Sequence, residues 1–190
     1  MSIIINNITK KYGDKTVLTD FSLEIADKEK ITVMGPSGCG KTTLIRIIAG
    51  LETKDSGEIL DVPQSISFVF QENRLCEDFS AVSNVRFITG SSVGKEEIEE
   101  NLKLLGLSDS LYKPVKTLSG GMKRRVAIAR ALLSNYDLLI MDEPFKGLDE
   151  ELKTSVLQYV KEKTKDKTVI FVTHNIDEAK LFSERIINLN

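Results

Sequence analysis

Four short apolar runs limit what this chain can fold into: "ITVMG" at 31–35, "ISFVF" at 66–70, "LLIMD" at 138–142 and "VIFVT" at 169–173. None sustains a polar–apolar alternation, and each is bounded by polar or turn-forming residues. Runs of this kind suit strands covered on both faces, as in a parallel sheet. Between the first and second lies "KTTLIRIIAG", apolar at helical spacing, with Gly50 as its stop. That is the strand–loop–helix opening of a βαβ unit. The N-terminal stretch "IIINNITKKYGDKTVLTDFSLEI" alternates more and holds a Gly13-Asp14 turn. It reads as antiparallel strands flanking the main sheet. Residues about 72–134 are rich in helix formers, as in "GKEEIEENLKLLGL", and read as an inserted helical subdomain. The expectation is one α/β domain over 1–190. It has a central, mainly parallel sheet, an antiparallel β subdomain at its start and the helical insertion.

A polar device follows each apolar run. After the first comes the glycine loop, after the second Gln71, after the third Asp142 and Glu143, after the fourth His174. Ligands of open parallel sheets gather at the carboxyl ends of the strands. Four such devices at four strand ends exceed what chance supplies in a chain with a single histidine.

The loop "GPSGCGKTT" fits G-x-x-x-x-G-K-[ST] through Gly35, Gly40, Lys41 and Thr42, enclosing Pro36, Ser37, Gly38 and Cys39. Its glycines let backbone N–H groups converge on phosphate oxygens, and the helix start adds partial positive charge. Lys41 would reach the outer phosphates and Thr43 an inner one. Thr42 would ligate Mg²⁺, with Asp142 holding the ion through water. Glu143 would orient or deprotonate an attacking water. Gln71 could bridge Mg²⁺ or water through its amide, and His174 could hydrogen-bond the terminal phosphate. Tyr12 is a candidate platform for an adenine ring, with Val17 lining the same pocket.

Composition narrows the function classes. The hydrophobic fraction is 41%, the charged fraction 28% and the net charge −2, so a basic footprint for nucleic acid is missing. No segment approaches the roughly 18 apolar residues of a membrane span. The start does not read as a signal peptide. Cys39 and Cys76 make no disulfide framework, which fits a reducing cytoplasm. No further domain is expected after "RIINLN".

"TLSGGMKRRVAIARALL" opens a long helix, with Ser119 as N-cap and Val126, Ala129, Leu132 and Leu133 on a buried face. Lys123, Arg124 and Arg125 read as its solvated opening turn. Ser119, Gly120 and Gly121 form a second anion site, far along the chain from the first.

With this the ordered set "KYG", "GPSGCGKTT", "FVFQENR", "LSGGM", "LLIMDEP", "GLD" and "FVTHNIDEA" resembles the nucleotide-binding subunit of an ATP-binding cassette (ABC) transporter over almost the whole chain. The resemblance is nearest to bacterial importer ATPases of the nitrate, sulfonate and taurine type. It implies the P-loop NTPase fold and an ATP-driven homodimer. In it each ATP lies between loop 35–43 of one copy and Ser119, Gly120 and Gly121 of the other, and Asp149 crosses the interface. It also implies Mg²⁺, transmembrane permease subunits supplied by other chains, a solute-binding protein as a further partner, and a place at the inner face of the cell membrane. Export, or a soluble cassette ATPase with no membrane partner, are the alternatives. Two departures stand out: Met122 follows "LSGG" in place of the usual glutamine, and Phe145-Lys146-Gly147 precede Leu148 where small residues are usual.

Overall fold

A computed structural model describes residues 2–189. The chain forms two compact bodies. Among the described residues, the first holds 2–66, 137–142 and 166–189, and the second holds 67–136 and 143–165.

In the first body, β1 (Ile3–Tyr12) and β2 (Lys15–Ile25) form an antiparallel hairpin around the Gly13-Asp14 turn, running from Ile3 opposite Ile25 to Tyr12 opposite Lys15, with register shifts between Ile5 and Lys11. β4 (Ser56–Leu60) pairs antiparallel with the other edge of β1, giving a three-stranded sheet in the order β2-β1-β4. The sequence reading did not anticipate β4. "SGEIL" buries neither face fully, so it offers weak periodicity.

β3 (Lys30–Met34), β6 (Leu138–Asp142) and β7 (Thr168–Val172) are the buried runs of the sequence, with β6 and β7 buried at every position. They pair in parallel, with β7 in the middle, and β8 (Arg185–Asn188) pairs in parallel with the far side of β3. The five-stranded order is β5-β6-β7-β3-β8, where β5 is Ile66–Val69. β5 departs from the expectation of two covered faces: Ser67 and Val69 are buried while Ile66 and Phe68 are half-buried. This suits its place at the end of the strand order. After β3 comes α1 (Lys41–Ile48), which buries Leu44, Ile45, Ile47 and Ile48. After β7 comes the short α6 (Ile176–Phe182).

The second body is helical. It holds α2 (Ala81–Thr89), α3 (Lys95–Leu104), two single 3-10 turns, α4 (Gly120–Leu133) and α5 (Glu150–Lys163). α2 is capped by the Ser80 hydroxyl, which accepts from the Ser83 N–H. Ile98, Leu102, Val126, Ile128 and Val160 build its fully buried interior. A polar pin joins two of its helices: the Tyr159 hydroxyl donates to Asn101 Oδ1 at 2.5 Å. Burial pushes the Tyr159 hydroxyl pKa well above its ordinary value.

Candidate functional site

Register decides what the first body brings together. Val33 of β3 lies opposite Val172 of β7, and Val172 lies opposite Asp142 of β6. The carboxyl ends of three neighbouring strands are therefore level. Gly35 follows one, His174 another, and Asp142 is the last residue of the third. His174 is exposed just past β7. Asp142 is only 3% exposed, and its Oδ2 accepts from the Thr42 hydroxyl at 2.9 Å. A buried carboxylate must be bonded to be tolerated, and Thr42 supplies that bond at the start of α1.

The loop itself is built around two glycines. Gly40, the residue before α1, has φ 103°, and no side chain caps the helix. A Cβ there would meet Val17 Cγ1 at 2.7 Å and Val17 O at 2.9 Å. Only glycine combines that dihedral with that approach. Gly35 (φ 150°) is equally enclosed: a Cβ would collide with the Leu189 carbonyl and come within 2.8 Å of Cys39 Sγ. The Leu189 N–H in turn donates to Met34 O at 2.8 Å, so the residue after β8 backs the loop. Lys41 Nζ arches over the loop, donating to Gly35 O at 2.8 Å and Pro36 O at 2.7 Å. Pro36, Ser37 and Gly38 form its exposed crest, while Cys39 and Thr43 are half-buried. The result is a helix start left open by its own sequence, with an ammonium group above it. Such a place suits phosphate. Thr42 and Asp142 add a pair of hard oxygen donors beside it, which fits a small divalent cation such as Mg²⁺.

Tyr12 ends β1 with 48% of its surface exposed, and Lys10 Nζ lies 5.0 Å from its ring centre. Lys10 is pinned by Glu52 at 3.0 Å. The hydrogen bond from Lys10 holds the Glu52 carboxyl below its ordinary value of 4.5. Val17, on β2, is half-buried against Gly40.

The remaining site residues belong to the second body. Ser119 caps α4, its hydroxyl accepting from the Met122 N–H at 3.3 Å. Ser119 and Gly120 are exposed. Gly121 is close to the segment before α5: a Cβ there would lie 3.4 Å from Gly147 O and from Leu148 Cδ2. Asp149 caps α5, with Oδ1 accepting from the Leu152 N–H at 2.9 Å. The Gln71 side chain is exposed. Glu143 is half-buried and has φ 48°, a left-handed backbone at a residue other than glycine.

One reading is overturned. Arg124 and Arg125 do not form a solvated turn; they are 3% and 8% exposed. Arg125 donates through Nη1 to Leu105 O at 2.6 Å and Gly106 O at 2.9 Å, and burial lowers its pKa from the ordinary value. Arg124 donates to the carbonyls of Phe70, Gln71, Glu143 and Pro144. These acceptors are backbone oxygens, which leave no trace in side-chain patterns. The burial is therefore not legible in the residue pattern. The spacing of Val126, Ala129, Leu132 and Leu133 located the helix face but not its charged beginning.

The arrangement has known counterparts. The ABC transporter family model matches residues 18–146, more than half of the chain. The Fe(3+) ions import ATP-binding protein FbpC of Agrobacterium fabrum is 39% identical over 98% of this chain and 58% of its own length. The spermidine/putrescine import ATP-binding protein PotA of Pasteurella multocida is 39% identical over 98% of this chain and 55% of its own length. This chain thus spans little more than half the length of these two relatives. It covers 70% of the aliphatic sulfonates import ATP-binding protein SsuB 2 of Burkholderia cenocepacia, at 39% identity over 95% of this chain. Among solved structures, a bacterial ABC transporter cassette in dimeric form superposes with a TM-score of 0.87 at 33% identity, over 98% of this chain and 94% of that one. The expected P-loop NTPase fold and the family resemblance are both borne out, and the chain belongs to the ABC transporter family.

Proposed function

We propose that the chain is the ATP-binding and hydrolysing subunit of an ABC importer. It would act as a homodimer, and its closing on ATP would drive separate transmembrane permease subunits, with a solute-binding protein as a further partner. The Thr42–Asp142 bond beneath the glycine loop carries this reading: it sets a hard-oxygen pair beside an open helix start on level strand ends. Dimeric relatives and relatives named for import support the rest.

In this reading Gly35, Pro36, Ser37, Gly38, Cys39 and Gly40 offer backbone donors to the phosphates. Lys41 leaves its carbonyl partners for the outer phosphate oxygens, and Thr43 reaches an inner one. Tyr12 stacks on the adenine, beside Val17. Thr42, Asp142 and Gln71 would hold Mg²⁺, which when bound neutralises charge building on the transferred phosphoryl group. Glu143, next in the chain after Asp142, takes the proton of the attacking water, and His174 donates to the terminal phosphate. Ser119, Gly120 and Gly121 of a second copy close over the nucleotide, with Asp149 at the interface. The working place is the inner face of the cell membrane. Relatives of equal identity are named for iron, polyamines and sulfonates, so no cargo is assigned.

Glu143→Gln tests the reading. Turnover should drop by about 10²–10⁴, ATP binding should persist, and light scattering should detect an ATP-dependent dimer. Near-normal turnover in that variant would remove Glu143 from its role. Wild-type turnover per chain that stays constant on extreme dilution would remove the need for a second copy.

A further inference from the structure

Arg124 is a buried cation whose donors fan out to two separate loops of the second body. Nη1 donates to Phe70 O, Gln71 O at 3.3 Å and Asn73 Oδ1 at 3.4 Å. Nε and Nη2 donate to Pro144 O at 2.8 Å and Glu143 O at 2.7 Å. A guanidinium is planar and always charged, so one group can serve both loops only in a fixed mutual placement. The second loop needs such help. Glu143 has φ 48°, and a left-handed residue other than glycine persists only when its surroundings hold it there. The carbonyl that Nη2 grips is that of Glu143 itself.

We infer that Arg124 is a positioning residue that yokes segment 70–73, which carries Gln71, to turn 143–144, so that Glu143 keeps its left-handed backbone and follows any movement of Gln71. The inference rests on the ATPase reading for its consequence but not for its geometry. Segment 70–73 cannot shift without pulling on the guanidinium, and the guanidinium cannot shift without releasing the Glu143 carbonyl. A glutamine at 124 reaches one loop and not both. A lysine keeps the charge but loses the fork.

The test uses the full chain with Arg124→Gln and Arg124→Lys. Hydrogen exchange read by mass spectrometry should quicken in 70–74 and 143–147 together, while β3 and β7 keep their wild-type protection. With saturating ATP, kcat should fall about 10- to 100-fold, as misplacement of a reacting group does, and KM should stay within about twofold. Arg124→Lys should lie between wild type and Arg124→Gln in both measurements. Quickening in only one of the two segments, or in neither, overturns the yoke. General quickening with a matching loss of melting temperature overturns it in favour of plain structural support. Unchanged kcat alongside joint quickening overturns its link to turnover. A wild-type chain without ATPase activity defeats the parent reading instead, and the exchange result still decides the yoke.

Discussion

The two glycine-rich helix starts of this chain solve the same local problem in opposite ways. α1 begins at Gly40 with no side-chain cap, and Lys41 is bonded to carbonyls of its own loop. α4 begins at Ser119, whose hydroxyl satisfies the Met122 N–H. An uncapped start leaves N–H donors for an outside anion; a capped start has already given one to its own side chain. The first is also enclosed by Val17 and Leu189, whereas Ser119 and Gly120 are exposed. On the proposed reading, the contrast means that α1 would bind phosphate by itself, while α4 would serve only the site of a second copy.

Lys41→Ala against Ser119→Arg is the sharpest way to break this contrast. Losing a charge-assisted bond to phosphate should weaken ATP binding about 10- to 100-fold in titration calorimetry. Ser119→Arg should leave the affinity of the isolated chain near wild type and abolish the ATP-dependent dimer. Equal losses of affinity in both variants would mean that the two starts are not different in kind. Next in size is Gly40→Ala, which meets both the 103° dihedral and the Val17 contacts. It should cost about 1–3 kcal/mol in denaturant unfolding. Ser119→Ala should cost less, about 1 kcal/mol, with most of it restored by Ser119→Asp, a cap of equal strength. No recovery there would show that the serine is not working as a cap.

The smallest effect concerns the charged edge of the first body, where Lys10 holds the Glu52 carboxyl below 4.5 through their hydrogen bond. The folded chain then binds this proton less readily than the unfolded chain. The stabilisation is present above the ordinary carboxylate value and is lost as pH falls through the lowered one. Glu52→Gln should therefore melt slightly lower than wild type at neutral pH, with the gap closing in acid. A gap that widened in acid would contradict the assigned direction.

How much could be read in advance depended on where the binding groups lie. Strands β3, β6 and β7 were legible because burial on both faces demands unbroken apolar runs. The residues at their ends followed from that. The β1–β2 hairpin was legible from alternation and its Gly13-Asp14 turn. β8 was not, because "RIIN" is half-buried to exposed and so offers no fully covered apolar run. Arg124 was missed for a related reason. A guanidinium bonded to carbonyls is indistinguishable in sequence from one bonded to water.

The support of the phosphate loop by Leu189 has a consequence for the order in which the molecule can be made. β3 has two neighbours, β7 and β8, and both come from the distal part of the sequence. On the ribosome, the β1–β2 hairpin can close as soon as it emerges, because its contacts are local. The glycine loop cannot be enclosed so early: the Leu189 carbonyl that lies against Gly35 arrives only when residue 189 leaves the exit tunnel. On the proposed reading, a nascent chain halted at Leu60 would show a hairpin but no affinity for ATP, because competence to bind would arrive late.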